Sequence, residues 1–518
     1  MLYIWEYYNI MGLRPQLRKA LTASLPAPTG GWNARDAVSN MSPQDAVEMI
    51  NFFPTPTDVS LRKGYVKRAT NITGYVETLM NYAGPTGQKL FACAGSQIYD
   101  VTSTGNGTVV KTGLNSAQFQ YVNISTPGGN FLICCNGVDT PLVYDGTTWA
   151  NISVTGVTSS TFINVNLFKN RLYFTQKNTL SCWYLPVSSI GGAASQLDFG
   201  SVARNGGYLQ AMATWTLDAG YGVDDFAMFI TNMGEIIIYQ GTDPASASTW
   251  ALKGVWQMGQ TFNRKCFFKW GGDLLLLSQD GLVPMSTALQ SSRLDPRVNL
   301  TDKIYFAVSS AATYYYDNYG WQIQYYASEN MLILNIPITG GTEQYVMHTI
   351  TQSWARFTNL DAKCWEVNSK KGMFFGSNGY VGEFYADTSD GGTNINASVQ
   401  QAYSYFGAMG QQKRFTMVRP ILLTDNGLPT ILCGINLDFE TTNETGTLTF
   451  NPSSLSVATW DSSLWDQAYW GGKYNINKNW QSVTGIGYAG GLQLTTASQG
   501  IDVHWTSTDF VMETGSVI

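Results

Sequence analysis

Residues Phe131–Trp149 read FLICCNGVDTPLVYDGTTW: a short apolar run, a turn of Asn, Gly and Asp, a second short run and an aromatic close. Strand formers bounded by turn formers at this spacing make a β-hairpin signature. The pattern returns in KLFACAGSQIYDV from Lys89, NRLYFTQKNTLSCWYL from Asn170 and FAMFITNMGEIIIYQG from Phe226. It returns again in GDLLLLSQDGLVPM from Gly272, NMLILNIPITGGTEQYVMH from Asn330 and GMFFGSNGYVGEFY from Gly372. Centred on Ala92, Ile133, Tyr173, Phe229, Leu276, Ile333 and Phe374, the copies lie 41, 40, 56, 47, 57 and 41 residues apart. A four-stranded propeller blade takes roughly 40–50 residues, so the period predicts an all-β chain built on a β-propeller with insertions at three intervals. The ring holds six or seven blades, depending on how it closes. A set of β-sandwiches also gives short strands between turns but does not require the long period.

The flanks read differently. Residues 1–70 are Pro-punctuated and predict an extended N-terminal arm or clasp, with 71–398 as the propeller and 399–518 as a C-terminal, Trp-rich β domain. Within the arm, Ser42, Pro43 and Asp45 carry the cap, first-position and dipole signals of a short helix. Removing residues 1–40 is expected to leave a folded propeller that fails to assemble. In WDSSLWDQAYWGG the tryptophans Trp460, Trp465 and Trp470 recur every five residues, which fits neither one helix face nor one strand face. They are candidate aromatic anchors at an interface, with a small domain core and a sugar-stacking platform as the other readings.

Composition narrows the chemistry. Charged residues make up 13% of the 518, about half the ordinary ~25%, and the net charge is −6. No run of like charge offers a nucleic-acid-binding surface. A mildly negative wall would let DNA slide past without sticking. Seven scattered cysteines read as buried apolar side chains, and adjacent Cys134 and Cys135 would point to opposite strand faces. Only His348 and His504 are present, and neither sits in a catalytic motif. No catalytic set, cofactor fingerprint or metal-ligand spacing is found, so no catalytic, cofactor-binding or metal residues are assigned. The acid pair Asp224–Asp225 could serve a glycosidase only at a suitable separation, which sequence does not give. The first twenty residues lack the basic start and apolar core of a signal peptide, and no apolar run is long enough to span a bilayer. In SLRKGYVKRAT the cations Arg62–Lys63 and Lys67–Arg68 place charges on both faces of a strand, where acids of a neighbouring subunit could meet them.

The stretch Leu25–Tyr65, LPAPTGGWNARDAVSNMSPQDAVEMINFFPTPTDVSLRKGY, resembles the N-terminal segment of tail-tube or nozzle proteins of short-tailed phages. The matching positions are Gly30, Gly31, Asn33, Asp45, Ala46, Asn51, Arg62, Gly64 and Tyr65, and the Trp-rich tract resembles one near the end of such proteins. The resemblance implies a non-enzymatic virion protein, made in the bacterial cytoplasm and built into a homo-hexameric ring of the phage tail. It further implies a head-to-tail adaptor above, tail fibre or spike proteins as partners, and double-stranded DNA that passes through the ring during ejection without sequence-specific binding. On that basis Asn33, Asp45, Asn51, Arg62, Lys63 and Tyr65 are candidate subunit-interface residues. The other reading is a propeller that binds or cleaves host-surface carbohydrate.

Overall fold

A computed structural model describes residues 20–85, 87–218, 223–289, 299–368, 372–425, 429–440, 446–447 and 474–515. The chain is a β-propeller. Residues 76–112, 120–151, 162–198 and 209–257 form successive four-stranded antiparallel sheets, each a meander from the axis outward. Residues 267–284 give only three strands, and the helix Tyr305–Tyr315 follows where a fourth would come. That substitution accounts for the long interval between Leu276 and Ile333. Two more four-stranded units complete the ring, one over 322–357 and one made of three strands over 364–387 with a fourth from 64–70.

Among the described residues the ring therefore holds six four-stranded blades and one blade of three strands. Their innermost strands pack in sequence, and Cys364–Val367 of the last lies against Val76–Gly84 of the first. Each residue at the centre of a repeat falls in the second strand of its blade. Those strands are apolar almost without interruption, because both faces are covered by neighbouring blades. Cys134 packs toward the first blade and Cys135 toward the third, on opposite faces as expected. All seven cysteines are buried and unpaired, and burial pushes the Cys135 and Cys364 thiols up to about 12, which leaves them unreactive.

The last blade is closed by the chain's own beginning. Its outermost strand is Gly64–Thr70, paired antiparallel with Val381–Asp387 so that Tyr65 faces Phe384 and Ala69 faces Val381. The remaining described ends build a β-sandwich. One sheet sets Asp45–Ile50 beside Ile395–Gln401, Gly490–Ser498 and Thr430–Leu437. The other pairs Lys413–Thr424 with Val503–Thr514 and adds Ala20–Pro26 and Val59–Leu61. Ile50 also pairs with Arg356 on the outermost strand of the sixth blade, so one continuous sheet runs from propeller into sandwich. The propeller, 64–387, is an insertion within the sandwich.

This corrects two expectations. The described part of the N-terminal segment is not a separate arm but strands of both bodies. The helix expected after Ser42 is the strand Asp45–Ile50. Its capping signals are spent elsewhere: Ser42 Oγ accepts the Gln44 N–H, and Asp45 is held by Asn33 and Lys303. Sheet pairing on both sides outweighs the local preference. Among the described residues no helix is long and apolar enough to cross a membrane.

Buried polar side chains fix the seam between the sixth and seventh blades. Asn335, fully buried, donates from Nδ2 to the Gly320 and Ala362 carbonyls at 2.8 and 3.0 Å. Its Oδ1 accepts from Gln344 Nε2 and Trp365 Nε1, both at 2.9 Å. Asn335→Leu strips the bond from the Gly320 and Ala362 carbonyls and from Trp365 Nε1, while Gln344 keeps Thr342 and Leu360, and it is expected to lower unfolding free energy by about 3 kcal/mol, read from urea unfolding. A loss below about 1 kcal/mol would show that the network relaxes around the change.

Candidate functional site: the joint and the closed channel

The positions that carry the sequence resemblance converge on the joint between sandwich and propeller. Asn33 donates from Nδ2 to Asp36 and Asp45, both at 2.9 Å, while its Oδ1 accepts the Arg35 and Asp36 N–H groups. Asp45 in turn accepts from Lys303 Nζ at 2.7 Å, which ties the segment after the fifth blade to the sandwich. Asn51 donates to the Asn396 carbonyl at 2.7 Å and accepts from Arg62 Nε and Thr358 N at 2.9 Å. Arg62 grips Asp390 with two bonds of 2.8 and 2.7 Å. Tyr65 places its ring edge on Phe375 at 5.0 Å and its hydroxyl 3.1 Å from that of Tyr380.

The glycines are there for space. A Cβ on Gly30 would stand 2.3 Å from Asp45 Oδ1, one on Gly64 1.9 Å from the Ser389 carbonyl, and one on Gly31 2.6 Å from the Trp354 carbonyl. Gly31 also takes φ +78, a conformation that side chains disfavour.

Expected at a subunit interface, Asn33, Asp45, Asn51, Arg62 and Tyr65 are instead buried within one chain and bonded to each other or to the propeller. The acid partner of Arg62, Asp390, is far away in sequence, which is why a neighbouring subunit looked necessary for that cation. Lys63 is half-buried, its Nζ 5.5 Å from the Tyr385 ring centre. Arg68 pairs with Glu383 of the same chain at 3.0 Å. Asp225 is taken by Lys169 and Thr216, and the side chain of Asp224 lies outside the described residues, as do Trp460, Trp465 and Trp470.

The propeller's axis holds two adjoining cavities of about 180 and 220 Å³, sharing Gln120, Arg264, Lys265 and Gln322. One mouth is crossed by two ties. Arg264, before the fifth blade, donates to the Asn136 carbonyl of the second at 3.0 Å. Tyr319, before the sixth, donates to the Glu77 carbonyl of the first at 2.8 Å. Deeper in, Lys265 Nζ donates to Gln322 at 3.3 Å, and Glu366 faces the cavity rather than bulk water. Burial pulls the Lys265 ammonium down and pushes the Glu366 carboxyl up to about 7, against the hydrogen bond from Tyr121 and the attraction of Lys265. No histidine, serine or cysteine lines either cavity among the described residues. Sequence reasoning missed Lys265 and Glu366; the one signal available was a lone charge inside an apolar strand run.

The Glu366 shift carries a pH signature. Its folded value lies above the ordinary carboxylate value, so between the two the folded state holds a proton that the unfolded state has lost. Stability from this group is therefore complete at acid pH and falls as pH rises toward 7, by up to roughly 3 kcal/mol. Unfolding measured at pH 5 and pH 8 is expected to show the decline in the parent chain and not in Glu366→Gln. Equal slopes in both would assign the dependence to other groups.

No protein-family model and no curated protein matches the chain. Among solved structures it is similar to the computationally designed Ika8 protein at 10% identity, covering 62% of this chain and 99% of that one, with a TM-score of 0.35. It is similar to the β-propeller domain of Myceliophteria thermophila Cps50 (Swd1) at 11% identity, 62% and 99% coverage and a TM-score of 0.39. It is also similar to a putative 6-phosphogluconolactonase from Bacteroides fragilis at 10% identity, 65% and 89% coverage and a TM-score of 0.35. At these scores the likenesses carry no functional argument, and the propeller rests on the strand order described above.

Proposed function

We propose that this chain is a non-enzymatic structural subunit of the tail tube of a short-tailed phage, repeated around an axis to form a ring that conducts DNA. The observation that supports this reading is the placement of the motif resembling tail-tube proteins. Gly30, Gly31, Asn33, Asp45, Asn51, Arg62, Gly64 and Tyr65 all serve the one joint that binds sandwich to propeller. A motif whose members jointly specify one architecture travels with that architecture. A rigid joint also suits a subunit that must hold its shape while DNA under pressure moves past it.

The propeller's own axis is not the DNA path in this reading. Adjoining cavities of about 180 and 220 Å³, the first lined by both Arg264 and Tyr319, cannot admit a duplex whose major groove alone is about 12 Å wide. The DNA runs through the lumen between subunits, past a surface of low charge that does not hold phosphates. A closed ring uses one heterologous contact repeatedly, and six copies below a head-to-tail adaptor are the proposed arrangement, with fibre or spike proteins seated outside.

A genetic experiment tests this. Particles produced from a genome with an early nonsense codon in this gene are expected to package DNA into heads that are non-infectious and leak it. Tailed particles with undiminished infectivity would remove the chain from the tail tube.

A further inference from the structure

The two histidines of the chain line one cleft. His348 ends a strand of the sixth blade and His504 sits in the sandwich strand Val503–Thr514, and both border a cavity of about 310 Å³ between the two bodies. Their Nδ1 atoms play opposite roles. His348 Nδ1 lies 3.3 Å from the Thr351 backbone N–H, which can only donate, so this nitrogen accepts. Burial holds the His348 pKa below its usual value, and in the neutral ring the proton sits on Nε2. His504 Nδ1 lies 3.0 Å from Asp58 Oδ2 and donates to it, which leaves Nε2 as the ring's second nitrogen. Burial alone would raise the Asp58 carboxyl, but hydrogen bonds from His504 and Thr55 outweigh it and hold its pKa below the usual value. Both Nδ1 atoms are thus engaged within the chain, and each ring keeps Nε2 as its remaining polar atom.

Aromatic surface frames these groups. Tyr474 meets the His504 ring edge-on at 4.9 Å, and Phe53 lies 5.6 Å from the His348 ring. Tyr385 lines the same cleft from an irregular part of the last blade's strand, with φ +63. A bulky side chain in that region is strained, a feature that clusters at ligand-holding sites. The charged residues of the lining are Lys63, Glu329 and Asp502, so the cleft has no positive excess to favour a phosphate or carboxylate. No group of three potential metal ligands is found among the described residues.

We propose that this cleft binds one neutral pyranose unit of a glycan. Ring hydroxyls both donate and accept, so they suit Nε2 of His348 and of His504 in either role, while the sugar's C–H faces suit Tyr385 and Tyr474. The cleft belongs to a single chain, so the site does not rest on the tail-tube reading and stands or falls apart from it.

Because the chain has only two histidines, imidazole NMR of the full chain labelled at histidine reports on the site directly. Titration with D-glucose, D-galactose and N-acetylglucosamine is expected to give saturable shifts of both rings with one shared midpoint for at least one sugar. His504→Phe keeps a planar ring but removes both ring nitrogens, and should weaken that binding roughly five- to ten-fold while the His348 signal reports an intact fold. Should that variant fail to fold, Tyr474→Leu, which removes one of the two aromatic faces offered to the sugar, is expected to weaken binding to a similar extent. No saturable shift with any of the three sugars, or shifts with spermidine or Mg²⁺ alone, would overturn the assignment.

Discussion

Arg62→Met is expected to lower the unfolding free energy by about 3–5 kcal/mol, the size of effect that follows from stripping one partner from a buried ion pair. Arg62 is 1% exposed and its partner Asp390 7%. All of its N–H groups are used: Nε on Asn51, Nη1 on Asp390 and the Lys63 carbonyl, Nη2 on Asp390 and the Thr358 carbonyl. The substitution leaves a carboxylate buried without a counter-charge and several acceptors without donors. Lysine does not restore them, because a point charge with three donors cannot reproduce the planar fork, so Arg62→Lys should recover only a part. Urea unfolding of both variants beside Asp390→Asn measures this. A loss below about 1 kcal/mol for Arg62→Met would mean that the joint tolerates the gap.

Removing residues 1–70 is expected to abolish cooperative folding. The deletion takes away Gly64–Thr70 and leaves Val381–Asp387 as an unpaired edge, a template for aggregation. It also removes Asp45–Ile50, the strand that joins propeller to sandwich, and the buried Met49, Phe52, Phe53 and Val59 from their shared core. Co-expressing residues 20–70 as a separate chain should restore soluble protein, since the missing strands add at defined registers. A truncated chain that is monomeric and melts in one sharp transition would contradict closure by the N-terminal strand. The milder expectation from sequence, that loss of residues 1–40 spares folding, now conflicts with the burial of Asn33 and the close fit of Gly30 and Gly31.

The blades were legible because their second strands are buried on both sides and so are apolar through their middle, as Leu274–Leu277 within the strand Asp273–Ser278 illustrate. The closing strand was not, because Tyr65 and Phe384 meet across most of the chain and no local pattern announces such a pairing. Ser42–Pro43 misled for the opposite reason: a local signal was present, and long-range sheet pairing overrode it. Arg62 was recognised as needing an acid, but sequence cannot say that the acid is Asp390 of the same chain. The His348–His504 cleft was invisible, since its two halves come from separate bodies. The tryptophan anchors at Trp460, Trp465 and Trp470 lie outside the described residues.

The most direct measurement is single-particle cryo-EM, without imposed symmetry, of particles that contain this chain. Six copies around an axial channel beneath the adaptor, each propeller joined to its sandwich through the Arg62–Asp390 pair, is the predicted result. Copies lying off the axis, with none enclosing the DNA path, would contradict the tail-tube account and make the chain a peripheral, receptor-facing protein.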